Sequence, residues 1–279
     1  MASQYARRNK STGPWLVILA VVVVIAGSLL IWRKLHPAAA DPAAATTSTA
    51  VAVPGSAPAP AVEHPVAQAP AAAASSAQPL IPLAHPGPEE TLGSLRALFT
   101  GSLLDSLLVS GDLVQRCVST VDALPRQMVP LFSLPLRVPQ GSFQVQQTPT
   151  GPVISPANAR RYERYLRLLE QADPHAVVAW YLQHYSLFQQ AYRDLGYPHA
   201  YFNDRLVAVI DHLLAAPNVT DPVALTSAAP LYRYANPQLQ DLSAGQKLMI
   251  RLGPADEARV KARLRLIRAQ LVAASPPAG

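Results

Sequence analysis

Asn203, Asp204 and Arg205 are three consecutive polar residues at the point where an apolar helical pattern begins. Tyr197 and Tyr201 stand just ahead of them, and His212 follows eight residues after Asp204. Eight residues of α-helix rise about 12 Å, so the carboxylate and the imidazole share a face without reaching each other. Aromatic rings carrying hydroxyls, an amide, a carboxylate and a guanidinium are the groups that edge a groove for a ligand or protein partner. Tyr197, Tyr201, Asn203, Asp204, Arg205 and His212 are therefore the candidate groove residues. A rival chemistry is general acid/base work, with Asp204 or Asp211 as the acid/base and His212 assisting. It requires two carboxylates, or a carboxylate and an imidazole, within about 3 Å of one another.

Other chemistries find little support. His175, His184, His199 and His212 lie in the C-terminal region, but none is three or four residues from another, so no metal-ligand spacing arises and no metal or cofactor is expected. The single cysteine, Cys117, sits on an apolar stripe with Val114, Val118 and Val121 and reads as an inert buried thiol. No G-x-S-x-G elbow or phosphate loop is present; Ser243-Ala244-Gly245-Gln246-Lys247 reads as a capped helix start. Nine of the ten tyrosines fall between Tyr162 and Tyr234. Tyr181, Tyr185 and Tyr192 belong on an inward stripe, whereas Tyr197, Tyr201, Tyr232 and Tyr234 fall at helix starts or in loops. Arg160, Arg164 and Arg167 form one basic stripe, and Lys261, Arg265 and Arg268 another. Glu163 and Glu257 can pair with them locally, so both read as solvated faces. Lys and Arg outnumber Asp and Glu by only 23 to 17, too little to argue for nucleic acid.

The elements that must position these residues are helices. Leu92, Leu95, Leu98 and Phe99 predict a short helix, and Leu103, Leu104, Leu107 and Leu108 a second. A third follows from Asp112, read as its cap, to about Ala123. Prolines at 125, 130, 135 and 139 enforce irregular chain with room for one helical turn. Ser142 to Ser155 is the one hairpin expected, a small one turning at Thr150-Gly151, and Pro222 to Asn236 reads as a loop or short strand. Beyond Pro156, Tyr162, Tyr165, Leu166 and Leu169 line one helix. Asp173-Pro174 reads as cap and first-turn proline of a central helix running to Gly196. Further helices are expected from Pro198 to Pro217, from Ser243 to Leu252, and last with the stripe Val260, Leu264, Ile267 and Leu271. The fold class expected is mainly α, a multi-helix bundle over residues 89–275.

The N-terminal third differs. Trp15 to Trp32 is eighteen residues without a charge, about 27 Å of helix, with an indole at each end. It reads as a single transmembrane helix at 15–32. A cleaved signal peptide, with Ala26-Gly27-Ser28 as the processing site, is the weaker alternative because apolar residues continue beyond it. Arg7, Arg8 and Lys10 before the span, against Arg33 and Lys34 after it, favour a cytoplasmic tail at 1–14. Residues 37–88 are almost entirely Ala, Pro, Ser, Thr and Val, with Asp41 and Glu63 as the only acids. Such composition predicts a disordered, semi-rigid tether.

Leu195-Gly196-Tyr197-Pro198-His199-Ala200-Tyr201-Phe202-Asn203-Asp204-Arg205-Leu206, continuing through Val209 to Leu214, resembles a bacterial family. So do Leu242-Ser243-Ala244-Gly245-Gln246-Lys247-Leu248 and Arg251-Leu252-Gly253-Pro254. The family is the domain of unknown function numbered 3014, and the resemblance covers roughly Leu92 to Leu271. No activity is assigned to that family, so the resemblance implies no particular catalytic residues. It implies a proteobacterial source and, with the span, an inner-membrane protein whose C-terminal domain faces the periplasm. Two functions fit these features. The leading expectation is a non-enzymatic, membrane-anchored envelope protein whose helical domain binds a protein or cell-wall partner. The rival is a periplasmic hydrolase or lyase acting on cell wall or glycan. A cytoplasmic placement of the domain is a third arrangement, which a reporter fused after Gly279 would distinguish.

Overall fold

The structure, a computed structural model, describes residues 62–66, 87–109, 111–171, 173–220, 222–228 and 231–274. The tail at 1–14, the span at 15–32 and all of the 37–88 tether except 62–66 and 87–88 lie outside the described residues. Among the described residues, no helix is long and apolar enough to cross a membrane.

Ten helices and two small antiparallel sheets make up the described chain. In chain order they are α1 (Pro88–Arg96), α2 (Leu103–Leu107), α3 (Leu113–Ala123), β1 (Val145–Thr148), β2 (Gly151–Ile154), α4 (Asn158–Gln171), α5 (Pro174–Gln183), α6 (Tyr185–Asp194) and α7 (Phe202–Leu214). Then come β3 (Leu225–Ala228), β4 (Leu231–Tyr234), α8 (Pro237–Gln240), α9 (Ala244–Leu252) and α10 (Pro254–Ala273). The proline-rich stretch after α3 contributes one 3-10 turn, Leu131–Ser133.

Start and stop signals explain most boundaries. The Asp173 carboxylate accepts the His175 N–H at 2.9 Å, with Pro174 at the first helical position. Ser243 Oγ accepts the Gln246 N–H at 3.2 Å to open α9, and Gly253, with φ of 83°, separates α9 from α10. Along α10, Val260, Leu264, Ile267 and Leu271 are each no more than 1% exposed. This stripe packs the helix against α4, α5, α7 and α9 at the centre of the core. On the other side, α3 packs against α6 and α7.

The structure corrects five readings. The helix expected from Pro174 to Gly196 is two helices, α5 and α6, broken at His184 (φ −103°, ψ 11°). There the imidazole Nδ1 lies 2.8 Å from the Trp180 carbonyl. A carbonyl only accepts, so Nδ1 carries the proton and takes up part of the helix's own acceptor. Asp112 occupies the position before α3 but makes no side-chain cap; it is left-handed, at φ 48°. Two hairpins exist where one was expected, since Leu225–Ala228 pairs with Leu231–Tyr234. The first hairpin turns through Pro149-Thr150, one residue earlier than read, because Thr148 pairs with Gly151. Finally, α7 begins at Phe202 rather than at Pro198, after a turn closed by the Ala200 N–H on the Tyr197 carbonyl.

Gly245, in the first turn of α9, marks the tightest helix approach. A Cβ there would stand 2.6 Å from Leu213 Cδ2 and 3.1 Å from the Leu124 carbonyl oxygen, which already accepts the Gly245 N–H. The leucine tip can move; the backbone carbonyl is held. Alanine would ordinarily gain about 1 kcal/mol over glycine inside a helix. Here overpacking outweighs that gain, and Gly245→Ala is expected to destabilise by about 1–3 kcal/mol on chemical denaturation.

Candidate functional site

The start of α7 is built from three other helices. Phe202 is 1% exposed and packs among Tyr181, Phe188 and Tyr192, with ring centroids 5.5–6.3 Å away. That plug fixes the direction in which Asn203 and Asp204 project. Tyr201, at the cap position, makes no side-chain cap. Gln189, reaching from α6, takes that role: its Oε1 accepts the Phe202 N–H at 2.9 Å, and its Nε2 donates to the Ala200 carbonyl at 2.8 Å. The Tyr185 hydroxyl holds the same Oε1 at 2.8 Å. Burial pushes the Tyr185 phenol up to about 12 and the Tyr181 phenol well above its ordinary value, so both stay protonated donors.

Asn203 and Asp204 grip a separate stretch of chain. Asn203 is wholly buried; its Oδ1 accepts the Tyr181 hydroxyl at 3.2 Å, which leaves Nδ2 to donate to the His64 carbonyl at 3.0 Å. Asp204 accepts two successive backbone N–H groups, Glu63 at 3.2 Å on Oδ2 and His64 at 2.6 Å on Oδ1. Successive N–H groups of a straight strand point to opposite sides. They converge on one carboxylate here because the chain bends at Glu63 and His64. Pro65 then holds His64 out of the helical region, and Val66 packs against the core. The Glu63 side chain is exposed. Hydrogen bonds to a charged group contribute about 1.5–3 kcal/mol, the lower end applying to this half-exposed segment.

The remaining candidate residues have other partners. Arg205 donates from Nε to the Asp122 carboxylate at 3.0 Å and from Nη2 to the Asp122 carbonyl at 2.8 Å. The Tyr197 hydroxyl donates to the same carboxylate at 3.3 Å, and Arg126 also binds it. Tyr197 stacks on Tyr192 at 4.6 Å. Asp122, Arg205, Arg126 and Tyr197 thus form a network that ties α3 to α7. His212 lies at the far end of α7, where Nε2 is 2.8 Å from Ser243 Oγ. Tyr201 stays 40% exposed beside the Asn203–Asp204 pair. The structure therefore places Tyr201, Asn203 and Asp204 together, turns Tyr197 and Arg205 towards Asp122, and leaves His212 two turns beyond Arg205 on α7, facing Ser243. The acid/base groups are likewise dispersed. Asp211 forms a two-point ion pair with Arg268, one of its bonds at 3.0 Å, while Asp204 faces backbone and His212 faces Ser243.

Several positioning residues escaped sequence reasoning. Tyr181, Gln189 and Asp122 sit inside runs whose periodicity says only "buried". The docked segment did leave a signal: Glu63-His64 is the one adjacent pair of ionisable side chains in the stretch 37–88. Tyr234, read as a loop ring, is only 7% exposed, whereas Tyr232 is open at 43%. The stripe of Lys261, Arg265 and Arg268 is a solvated face only in part: Arg265 is exposed, whereas Lys261 is 3% exposed. Burial pushes the Cys117 thiol up to about 12, in keeping with an inert group. Among the described residues, no three His, Cys, Asp or Glu side chains gather as metal ligands. A separate cleft of about 290 Å³ lies between α1, α3 and α6, lined by Leu92, Leu113, Val114 and Leu187 among others; it contains none of the candidate residues.

His212 carries a pH dependence. Burial first, then the nearby Arg205, lowers its pKa below the ordinary 6.5. The unfolded chain therefore takes up this proton before the folded one does. Stability is fully present above about pH 6.5 and falls as pH drops towards the lowered folded value. Urea midpoints compared at pH 7 and pH 5 should fall less for His212→Gln than for the unsubstituted chain.

No curated protein and no solved structure matches the chain. A family model does match, over residues 113–268, which take in α3 through most of α10 and every candidate site residue. On that match, the chain belongs to the family described as Protein of unknown function (DUF3014).

Proposed function

We propose that the protein is a single-span envelope protein whose helical domain is a binding module for a polypeptide partner. The run Trp15 to Trp32 is the anchor, with residues 1–14 cytoplasmic, and residues 37–88 are the tether that carries the domain into the periplasm. The observation that carries the binding role is the pair Asn203 and Asp204, whose polar atoms are directed at the backbone of another chain segment. A carboxylate that takes two adjacent N–H groups and a buried amide that takes the next carbonyl together match peptide geometry. A glycan offers hydroxyls instead, so of the protein and cell-wall partners expected from the sequence the polypeptide is favoured.

A photo-crosslinking residue in place of the exposed Tyr201, in the full chain and in intact cells, tests this. The expected result is an adduct that proteases degrade and that disappears when Asp204 is replaced by alanine. An adduct sensitive only to glycan hydrolases, or one indifferent to Asp204, would contradict it.

A further inference from the structure

The site at the start of α7 is already filled, and by this chain's own residues 62–66. We propose that it is a peptide-binding site for the pattern x-x-Pro-aliphatic, with Val62-Glu63-His64-Pro65-Val66 as its resident occupant, and that a partner segment of the same chemistry displaces it. The inference rests on the polypeptide reading above and specifies both the ligand class and the competitor.

Each position of the pattern follows from a contact. The first two residues must each carry an N–H, because Asp204 accepts both. The Glu63 side chain is exposed and free to vary, and the bonds that Asp204 and Asn203 make to the two residues all go to backbone atoms. The second residue's carbonyl must meet Asn203 Nδ2, and a following proline keeps that residue out of the helical region, where the carbonyl would turn away. The fourth residue is apolar, since Val66 packs against the core. Asn203 cannot swing aside, because it is wholly buried and held by Tyr181. The receptor half of the site is thus preorganised, and the recognition it offers is largely blind to side chains.

Occupancy in cis has two consequences. Residues 67–86 link the segment to α1 (Pro88–Arg96), and a short linker of this kind presents its segment at an effective concentration on the order of millimolar. A free peptide therefore competes at a disadvantage until the tether leaves. Docking also shortens the tether. From His36 to Val62 the chain spans no more than about 90 Å, whereas from His36 to Gly87 it spans up to about 180 Å. Displacement by a partner roughly doubles the distance the domain can reach from its anchor.

The test uses the full chain in detergent micelles and a fluorescent peptide with the sequence of residues 60–68. His64→Pro removes one N–H that Asp204 accepts and forces Glu63 out of its bend, so the tether is released without any change in the domain. The peptide should bind the His64→Pro chain at least tenfold more tightly than the unsubstituted chain. Asp204→Asn added to His64→Pro should abolish the gain, and a peptide carrying the same proline substitution should not bind. Equal affinity for the two chains, or no binding to either, overturns the resident-occupant inference. A protein adduct at Tyr201 that persists alongside such a result would leave the polypeptide reading intact and remove only the role of residues 62–66.

Discussion

Replacing Lys261 with alanine is expected to cost the domain about 3–5 kcal/mol. The Lys261 ammonium and the Glu257 carboxylate are 2.7 Å apart, one turn from each other on α10, and the two residues are 3% and 1% exposed. The directed hydrogen bonds of the ammonium go elsewhere, to the Ala216 carbonyl at 2.5 Å and to Asn218 Oδ1 at 2.6 Å. Its contact with Glu257 is close but poorly aligned, so it acts as a neutralising charge more than as a donor to that oxygen. Those carbonyl bonds also place a cation just past the C-terminal end of α7, where the helix dipole is negative. Alanine would leave a carboxylate buried without a counter-charge and would free the chain that follows α7. For a domain of this size the melting temperature should fall on the order of 10 °C. The control is Glu257→Leu with Lys261→Met, which removes both charges and should recover most of the loss. If the single and double variants melt alike, the pair is not the source.

Asp122→Ala is expected to cost about 2–3 kcal/mol, the next largest effect. Its carboxylate is 3% exposed and receives Arg205, Arg126 and the Tyr197 hydroxyl. The cost is lower than for Lys261 because the stranded partners can reach water: the Arg205 side chain is 31% exposed and that of Arg126 is 58% exposed. Arg126→Ala should accordingly stay within about 1 kcal/mol. Arg205→Ala should cost more than Arg126→Ala, since Arg205 also binds the Asp122 carbonyl and thereby joins α3 to α7. Urea denaturation of the three variants in parallel gives the order directly; equal losses for the two arginines would contradict it.

Helix positions were legible where a local signal sufficed. Asp173-Pro174 and Ser243 act as caps, and the stripe from Val260 to Leu271 is buried as its spacing implies. What a sequence pattern does not carry is competition between a side chain and the backbone around it. The apolar periodicity runs unbroken through His184, yet the helix breaks there, where the ring shares the Trp180 carbonyl with the His184 backbone N–H. Charge at helical spacing is ambiguous in the same way. The i, i+4 spacing implies the pairing of Glu257 with Lys261, and the two do pair, but whether such a pair faces water or core depends on what packs over it. In this fold that is the end of α7. The candidate site was half legible. Three polar residues at a helix start marked Asn203 and Asp204, whereas the partner of Arg205, Asp122, lies 83 positions away on a helix that reads as core. The docked segment 140 positions upstream of Asp204 had only Glu63-His64 to announce it.

Amide hydrogen exchange at Glu63 and His64 in the full chain, followed by NMR, is the most direct measurement. The account predicts that both amides are protected, and that Asp204→Asn returns them to the exchange rate of a free peptide while amides in the α10 core stay slow. Free-peptide exchange at Glu63 and His64 in the unsubstituted chain would contradict it.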